Sequence, residues 1–456
     1  MNDELVARPL VNGYRRVALF ALPLAVSGFA MNGELPVVNA GVARLALPER
    51  EIAAFGVAIG IAWLIESPIV MLLDAVVARG VDQRSFALMR RYTVYWCAAL
   101  VAVASCVAFT PLGRLLLRSV LGVDPAVAHE AQRALSVLII WPAAVAWRRI
   151  HQGVLIRVGQ TRVIAYAVGL RLTSVLSVIT LGVLHGGPAG ALLGALALAC
   201  GVLVESSAVW LVARRILREE LPLDTGEAGA VRDLRTFHRY YLPLAGTMLC
   251  YMLSAPLVTA GLAHGSAPSL SLAVWPVAYS LVLLLSSPLN GMQQVAVRLG
   301  RDAQAARVTR RLLLGCGAGV SVMLVAFNAS GATRWLLATA IKSPGSTVTP
   351  ALHVLWLLSA LPLLIAARAL CRGLLVADGR TGVIQGAIAV NLLALAGMLL
   401  LAGRLLPSAS YMVAAGALFL ATALETSLLA RALLLARRQE CEPSVPTHAV
   451  LAESAR

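Results

Sequence analysis

Leu22-Pro-Leu-Ala-Val-Ser-Gly-Phe-Ala-Met-Asn-Gly-Glu-Leu-Pro-Val-Val-Asn-Ala-Gly41 is an apolar stretch of membrane length, interrupted by Asn32, Glu34, Pro36 and Asn39. Ionisable groups at such depth are costly in lipid and persist where they face protein or a wet cavity. The frame returns as Leu242-Pro-Leu-Ala and then Pro256-Leu-Val-Thr-Ala-Gly261, so Pro23, Pro36 and Gly41 are answered by Pro243, Pro256 and Gly261 at an offset of 220 residues. The same offset relates Ser67-Pro68 to Ser287-Pro288, Arg90-Arg91 to Arg310-Arg311 and Pro142 to Pro362. It also relates Arg148 to Arg368, Gly153 to Gly373, Gly159 to Gly379, Thr161 to Thr381 and Glu205 to Glu425. Agreement on so many proline, glycine and charged positions identifies an internal duplication.

Composition says what kind of chain is duplicated. Of 456 residues 59% are hydrophobic and 13% charged, with a mean hydropathy of +0.82, whereas charged residues make up about a quarter of soluble domains. The chain is read as an all-α polytopic membrane protein. Its net charge of +16 does not point to nucleic acid, because the arginines sit between apolar runs and not on a soluble face with stacking aromatics. Lys342, the sole lysine, follows Ile341 where a Walker A loop needs glycine. An ATP-hydrolysing pump is thereby disfavoured. The seven cysteines and seven histidines show no ligand spacing, so no metal, no cofactor and no enzyme activity are expected.

Runs of about twenty residues, enough to span a bilayer, fall at 17–43, 52–78, 92–113, 132–149, 163–185 and 189–213, then at 241–263, 270–297, 312–330, 350–367, 382–403 and 408–430. They divide the chain into a tail (1–16), a first lobe (17–213), a polar linker (214–240), a second lobe (241–430) and a closing tail (431–456). Residues 1–16 carry charge ahead of a long apolar run with no small-residue cleavage site, the pattern of a signal anchor. With six spans per lobe the lobes enter from the same side, as parallel repeats. Of the 38 basic residues, 29 flank one side, 8 flank the other and Arg171 lies within a span. The positive-inside rule therefore places both termini in the cytoplasm of a plasma or inner membrane.

Several buried polar residues are candidates for chemistry. Pro36 and Pro256 lack the N–H that would bond four residues back, so a helix break is expected at each. On an unbroken helix Asn32 and Glu34 fall about 200° apart. Glu34, Asn39 and Glu66 have Ser254, Thr259 and Ser286 as their second-lobe equivalents, so these polar groups are confined to one lobe. Asn32, Glu34, Asn39, Glu66, Glu205 and Glu425 are the candidate coupling and gating set, the last two being duplicated and equally readable as lobe stabilisers. Asp74 is expected to pair with Arg79. Arg171, answered by Asn391, must face an acid, a wet cavity or an anion; a first-lobe glutamate is the simplest partner. Arg148, Arg171, Arg368 and Arg372 are the candidate substrate-binding residues, against a plain topological reading for those near span ends.

In the order Gly33-Glu34, Asn39-Ala-Gly41, Ser67-Pro68, Asp124, Pro142, Ala146-Trp147, Gly153-Val-Leu155, Trp275-Pro276-Val277, Pro362, Arg368, Gly373 and Leu424-Glu425-Thr426-Ser427, the chain resembles the progressive ankylosis protein family. That family is similar in organisation to MATE-like flippases, which implies two six-helix lobes in a V around a cavity that opens alternately. The resemblance implies export of a small anionic metabolite, of the pyrophosphate, ATP or citrate class, with a proton or sodium as coupling ion and the lipid bilayer as surroundings. A monomer is expected. The readings left open are a cation-coupled multidrug or natural-product exporter and a lipid-linked substrate flippase.

Overall fold

The computed structural model describes residues 13–120, 123–187, 189–226, 230–264, 268–300, 302–340, 345–405 and 410–441. Lys342, residues 1–12 of the first tail and residues 442–456 of the last lie outside the described residues. Within them the chain is helical: α1 (Gly13–Asn32), α2 (Glu34–Val42), α3 (Pro48–Glu66), α4 (Leu72–Arg79), α5 (Gln83–Phe109), α6 (Pro125–Leu138), α7 (Trp141–Arg157), α8 (Thr161–Leu184) and α9 (Gly190–Glu219) build the first lobe. The second comprises α10 (Leu234–Ala263), α11 (Pro268–Gly291), α12 (Gln293–Leu299), α13 (Ala303–Ala329), α14 (Gly345–Leu358), α15 (Leu361–Ala377), α16 (Thr381–Leu405) and α17 (Ser410–Cys441). Because α9 runs on to Glu219 and α10 starts at Leu234, the linker is shorter than the polar composition of 214–240 suggests.

Eleven of these helices or helix pairs are long and apolar enough to cross a membrane. The twelfth position in the duplicated frame is filled by α6 and α7, whose Glu130, Arg133, Arg148 and Arg149 interrupt its apolar run. The outer surface carries large apolar side chains such as Leu22, Leu184, Leu400 and Leu434, as a face in contact with lipid chains requires.

The first spans of the two lobes differ. The chain breaks between α1 and α2 at Gly33, three residues before Pro36, so that Pro36 falls in the first turn of α2, where a missing N–H costs nothing. Pro256 does not break its helix: α10 is continuous through it, contrary to the expectation from the proline alone. The reason lies in the neighbouring residue. Leu253, a good helix former, stands where the first lobe has Gly33, which is about 1 kcal/mol less favourable in a helix interior. Glycine, and not proline, decides which copy is interrupted.

The lobes meet at the arginine-rich end. A Cβ on Gly28 would lie 3.0 Å from the Ser287 carbonyl oxygen, and one on Gly291 2.8 Å from that of Leu24, so α1 and α11 cross with their backbones nearly touching. The Tyr241 hydroxyl donates to the Pro68 carbonyl at 2.5 Å, and Arg298 Nε donates to the Arg157 carbonyl at 2.6 Å. The Tyr92 hydroxyl lies 2.8 Å from His238 Nδ1 within a cluster that includes Phe237 and Tyr241. Arg79, expected beside Asp74, instead lies over the Tyr240 ring.

Asp82 fastens the linker to this end. Its Oδ1 accepts from the Ser85 amide, capping α5, while Oδ2 accepts from the Thr225 amide and hydroxyl and meets Arg232 at 3.0 Å. Burial works against its charge, but these donors prevail and hold the carboxyl well below the usual carboxylate range. A depressed folded pKa adds stability above the unfolded value of about 3.9 and loses it as pH falls through the folded value. The linker is therefore expected to stay docked at every pH above about 4. Asp82→Asn loses the charged acceptor, and limited proteolysis between α9 and α10 at pH 7 should run about tenfold faster than in wild type. Equal cleavage rates would show that the linker is held elsewhere.

Candidate functional site

Glu205 and Glu425 are the hubs of two buried polar clusters, one in each lobe. Arg148 and Gln152, four residues apart on α7, share a face and both reach Glu205. Arg148 Nη1 donates to Oε2 at 2.5 Å and Gln152 Nε2 to Oε1 at 3.0 Å. From α8, Arg171 Nη1 donates to the same Oε2 at 3.1 Å. Gly201, one turn before Glu205, makes room for it: a Cβ there would lie 3.2 Å from Arg171 Cγ.

Arg171 also forks onto Glu34, Nε to Oε1 at 2.8 Å and Nη2 to Oε2 at 2.6 Å. Glu34 occupies the first turn of α2, where the helix dipole favours an acid. The break at Gly33 thus turns the carboxylate inward onto the one arginine placed in mid-span. Two acids and two guanidinium groups make this cluster neutral.

The second lobe repeats the plan with two side chains exchanged. Glu425 Oε1 accepts from Arg372 Nε at 3.0 Å and from Arg372 Nη2; Oε2 accepts from Asn391 Nδ2 at 2.9 Å, with Arg368 Nη1 at 3.5 Å. In the duplicated frame Arg368 answers Arg148, Arg372 answers Gln152 and Asn391 answers Arg171. Each glutamate is thus held by two arginines and one amide, but the second arginine stands on α8 in one lobe and on α15 in the other. Ser254 replaces Glu34, so two guanidinium groups share one acid and one positive charge is in excess. Arg368 lies over the Tyr251 ring at 5.6 Å.

The remaining expected residues fall elsewhere. Asn32 is exposed and donates to the Gly28 carbonyl of its own helix, so the structure leaves it outside the cluster. Asn39 Oδ1 is buried without a partner. Glu66 accepts from Trp141 Nε1 at 2.5 Å, and the Trp141 ring lies 5.4 Å from the Arg171 guanidinium carbon. Asp74 is buried and crosses between lobes to accept from Gln293 Nε2 at 3.0 Å; its Oδ1 has no partner. Gln152, Trp141, Tyr251 and Gln293 carry no signal of their own in the sequence, whereas Arg149 reads there, beside Arg148, as a span-end residue of topology or of an anion-attracting vestibule. Gln152 was within reach, because the frame sets it opposite Arg372 as it sets Asn391 opposite Arg171. Among the described residues no group of histidine, cysteine and acid side chains could hold a metal.

Beyond the inter-lobe contact, toward the arginine-rich end, lies a cavity of about 1010 Å³ bordered by Arg16, Arg157, Arg162, Arg298, Glu220 and Asp302.

A model of the progressive ankylosis protein (ANKH) family matches residues 5–267. The chain belongs to the progressive ankylosis protein family. No curated protein matches it. Among solved structures, this family member is similar to the eukaryotic MATE transporter AtDTX14, at 14% identity and a TM-score of 0.72 over 93% of this chain and 96% of that one. It is similar to a MOP superfamily transporter from Pyrococcus furiosus at 13% identity and a TM-score of 0.72, over 92% and 95% of the two chains; the binding pocket of that transporter is described as reversed in polarity. The Vibrio cholerae MATE transporter VcmN, in its bent form, aligns at 16% identity and a TM-score of 0.64, over 93% and 97%. Identities this low carry the fold alone. Family and fold together support a multi-pass membrane transporter, built on a MATE-type fold, rather than an enzyme.

Proposed function

We propose that the protein exports small polyanionic metabolites, of the pyrophosphate, ATP or citrate class, by alternating access of its two lobes. The observation that carries the reading is the second-lobe cluster, where among the described residues Glu425 is the one acid in direct contact with both Arg368 and Arg372. An excess guanidinium charge in a low-dielectric setting attracts a polyanion far more strongly than one in bulk water, and its planar donors suit phosphate and carboxylate oxygens. The neutral first-lobe cluster serves as the coupling region: Glu34 pairs with Arg171, Glu66 lies within reach of its charge and Asn39 follows on α2, while Arg171 ties α2 to α9 and responds to a proton or sodium. In this reading both termini and the linker are cytoplasmic in a plasma or inner membrane. The contacts at the arginine-rich end then close the inner side, the inner cavity collects anions behind them, and a single chain suffices.

The test is efflux of labelled pyrophosphate, ATP and citrate from proteoliposomes. Arg372→Gln, which copies the first-lobe side chain at the equivalent position, should reduce flux about tenfold or more. Drug efflux without anion flux would transfer the protein to the cation-exporter reading.

A further inference from the structure

Arg149 stands beside the first-lobe cluster, and the structure leaves it without a bond among the described residues. It follows Arg148 on α7 but points away from the Glu205 hub. It makes no hydrogen bond or ion pair among the described residues, and its Nε is buried without an acceptor. Its charged surroundings are Arg148 on its own helix, Glu66 at the end of α3, Asp74 on α4 and Glu205 on α9. Arg149 is half-buried, and a partly desolvated guanidinium with no contact partner is costly, so its donors are open to a ligand.

Two acids nearby have the complementary defect. Glu66 is bonded to Trp141 and touches no cation; the charges around it are Arg148 and Arg149 from α7 and Arg171 from α8. Asp74 is bonded to Gln293 and faces Arg149 from α7, Gln293 and Gln294 at the start of α12, Tyr241 from α10 and Arg372 from α15. Its Oδ1 is buried and unpaired, the position a carboxyl proton would occupy. With both acids ionised, the trio bears one net negative charge and repels an anion; with both protonated it bears one positive charge and attracts one. The second lobe has none of the three, since Ala369, Ser286 and Gln294 stand at the equivalent positions.

Resting on the anion-export reading above, we propose that Arg149 docks an anionic group of the substrate at the seam between the lobes, and that Glu66 and Asp74 each take up a proton as the anion enters. Each proton leaves a hydronium ion or buffer acid in the open cavity, whose bond to hydrogen breaks as an O–H bond forms on a carboxylate oxygen. Arg372, which faces Asp74 from the opposite lobe, lets one polyanion span both lobes, with Arg149 on one side and Arg372 on the other. A proton thus accompanies the anion, and the charge of the seam is restored when both leave.

Titration calorimetry of the purified full chain with pyrophosphate, at one pH in two buffers of different ionisation enthalpy, counts the protons taken up per anion bound. Beyond the protons pyrophosphate itself exchanges, wild type should take up between about one and two. Glu66→Gln/Asp74→Asn should still bind pyrophosphate but lose that uptake. Arg149→Ala should weaken binding about 10- to 100-fold, with Arg149→Lys restoring part of it; melting curves and gel filtration identify any variant that fails to fold, and the double amide variant keeps the proton count readable in that case. Undiminished affinity in Arg149→Ala, or an unchanged proton count in the double amide variant, overturns the inference while leaving anion export standing. If folded wild type binds none of pyrophosphate, ATP or citrate, the export reading falls and the inference with it.

Discussion

Glu425→Leu is expected to destabilise the protein by about 3–5 kcal/mol, the cost of breaking a buried ion pair from one side. Arg368 and Arg372 would then be buried without their shared carboxylate, and Asn391 Nδ2 would lose its acceptor as well. The matching change in the first lobe, Glu205→Leu, should cost less, because Arg171 keeps its two bonds to Glu34. The ordering is the informative part. Thermal unfolding in detergent should place Glu425→Leu below Glu205→Leu, with Glu425→Leu/Arg372→Leu recovering part of the loss. A Glu425→Leu midpoint within about 2 °C of wild type would mean that the second cluster is wet enough for its arginines to do without the acid.

Gly291→Val should have the largest effect on conformation. Its Cβ would stand 2.8 Å from the Leu24 carbonyl oxygen, a backbone atom that no rotamer change can move aside. Overpacking of this kind costs roughly 1–3 kcal/mol, and the state in which α1 and α11 touch should lose about 5- to 150-fold in population relative to its alternative. Spin labels at positions 157 and 298, across the inter-lobe contact, should report a longer mean distance than in wild type, and anion flux should fall together with it. Gly28→Val, 3.0 Å from the Ser287 carbonyl, should act the same way more weakly. An unchanged distance distribution in Gly291→Val would show that α1 and α11 separate without cost.

Much of the site could be read before the fold. The duplicated frame pairs Glu205 with Glu425 and Arg148 with Arg368, and each of these pairs is a matched corner of the two clusters. The Arg171 pairing to a first-lobe acid followed from dielectric cost alone, since a guanidinium in mid-span needs a counter-charge. What escaped were the residues whose importance depends on direction. Arg148 and Arg149 are adjacent in sequence, yet about 100° of helical rotation sends one to Glu205 and the other to the seam. Nearness along the chain points Asp74 to Arg79, but the lobe interface supplies Gln293 as its donor.

By itself the sequence determined the class of protein, the twofold repeat and the side of the chain on which arginine accumulates. Each of these depends on composition or on a period along one strand of chain, which needs no knowledge of contacts. The tertiary structure decided which helix copy breaks, because Gly33 and Leu253 differ in what the backbone tolerates. It also decided the charge of each lobe. Leu22 to Gly41 contributes a glutamate that neutralises a cluster built mostly from α7, α8 and α9, while its duplicate contributes a serine and leaves the second cluster positive. Electrostatic balance is summed over neighbours in space, so no window of sequence contains it.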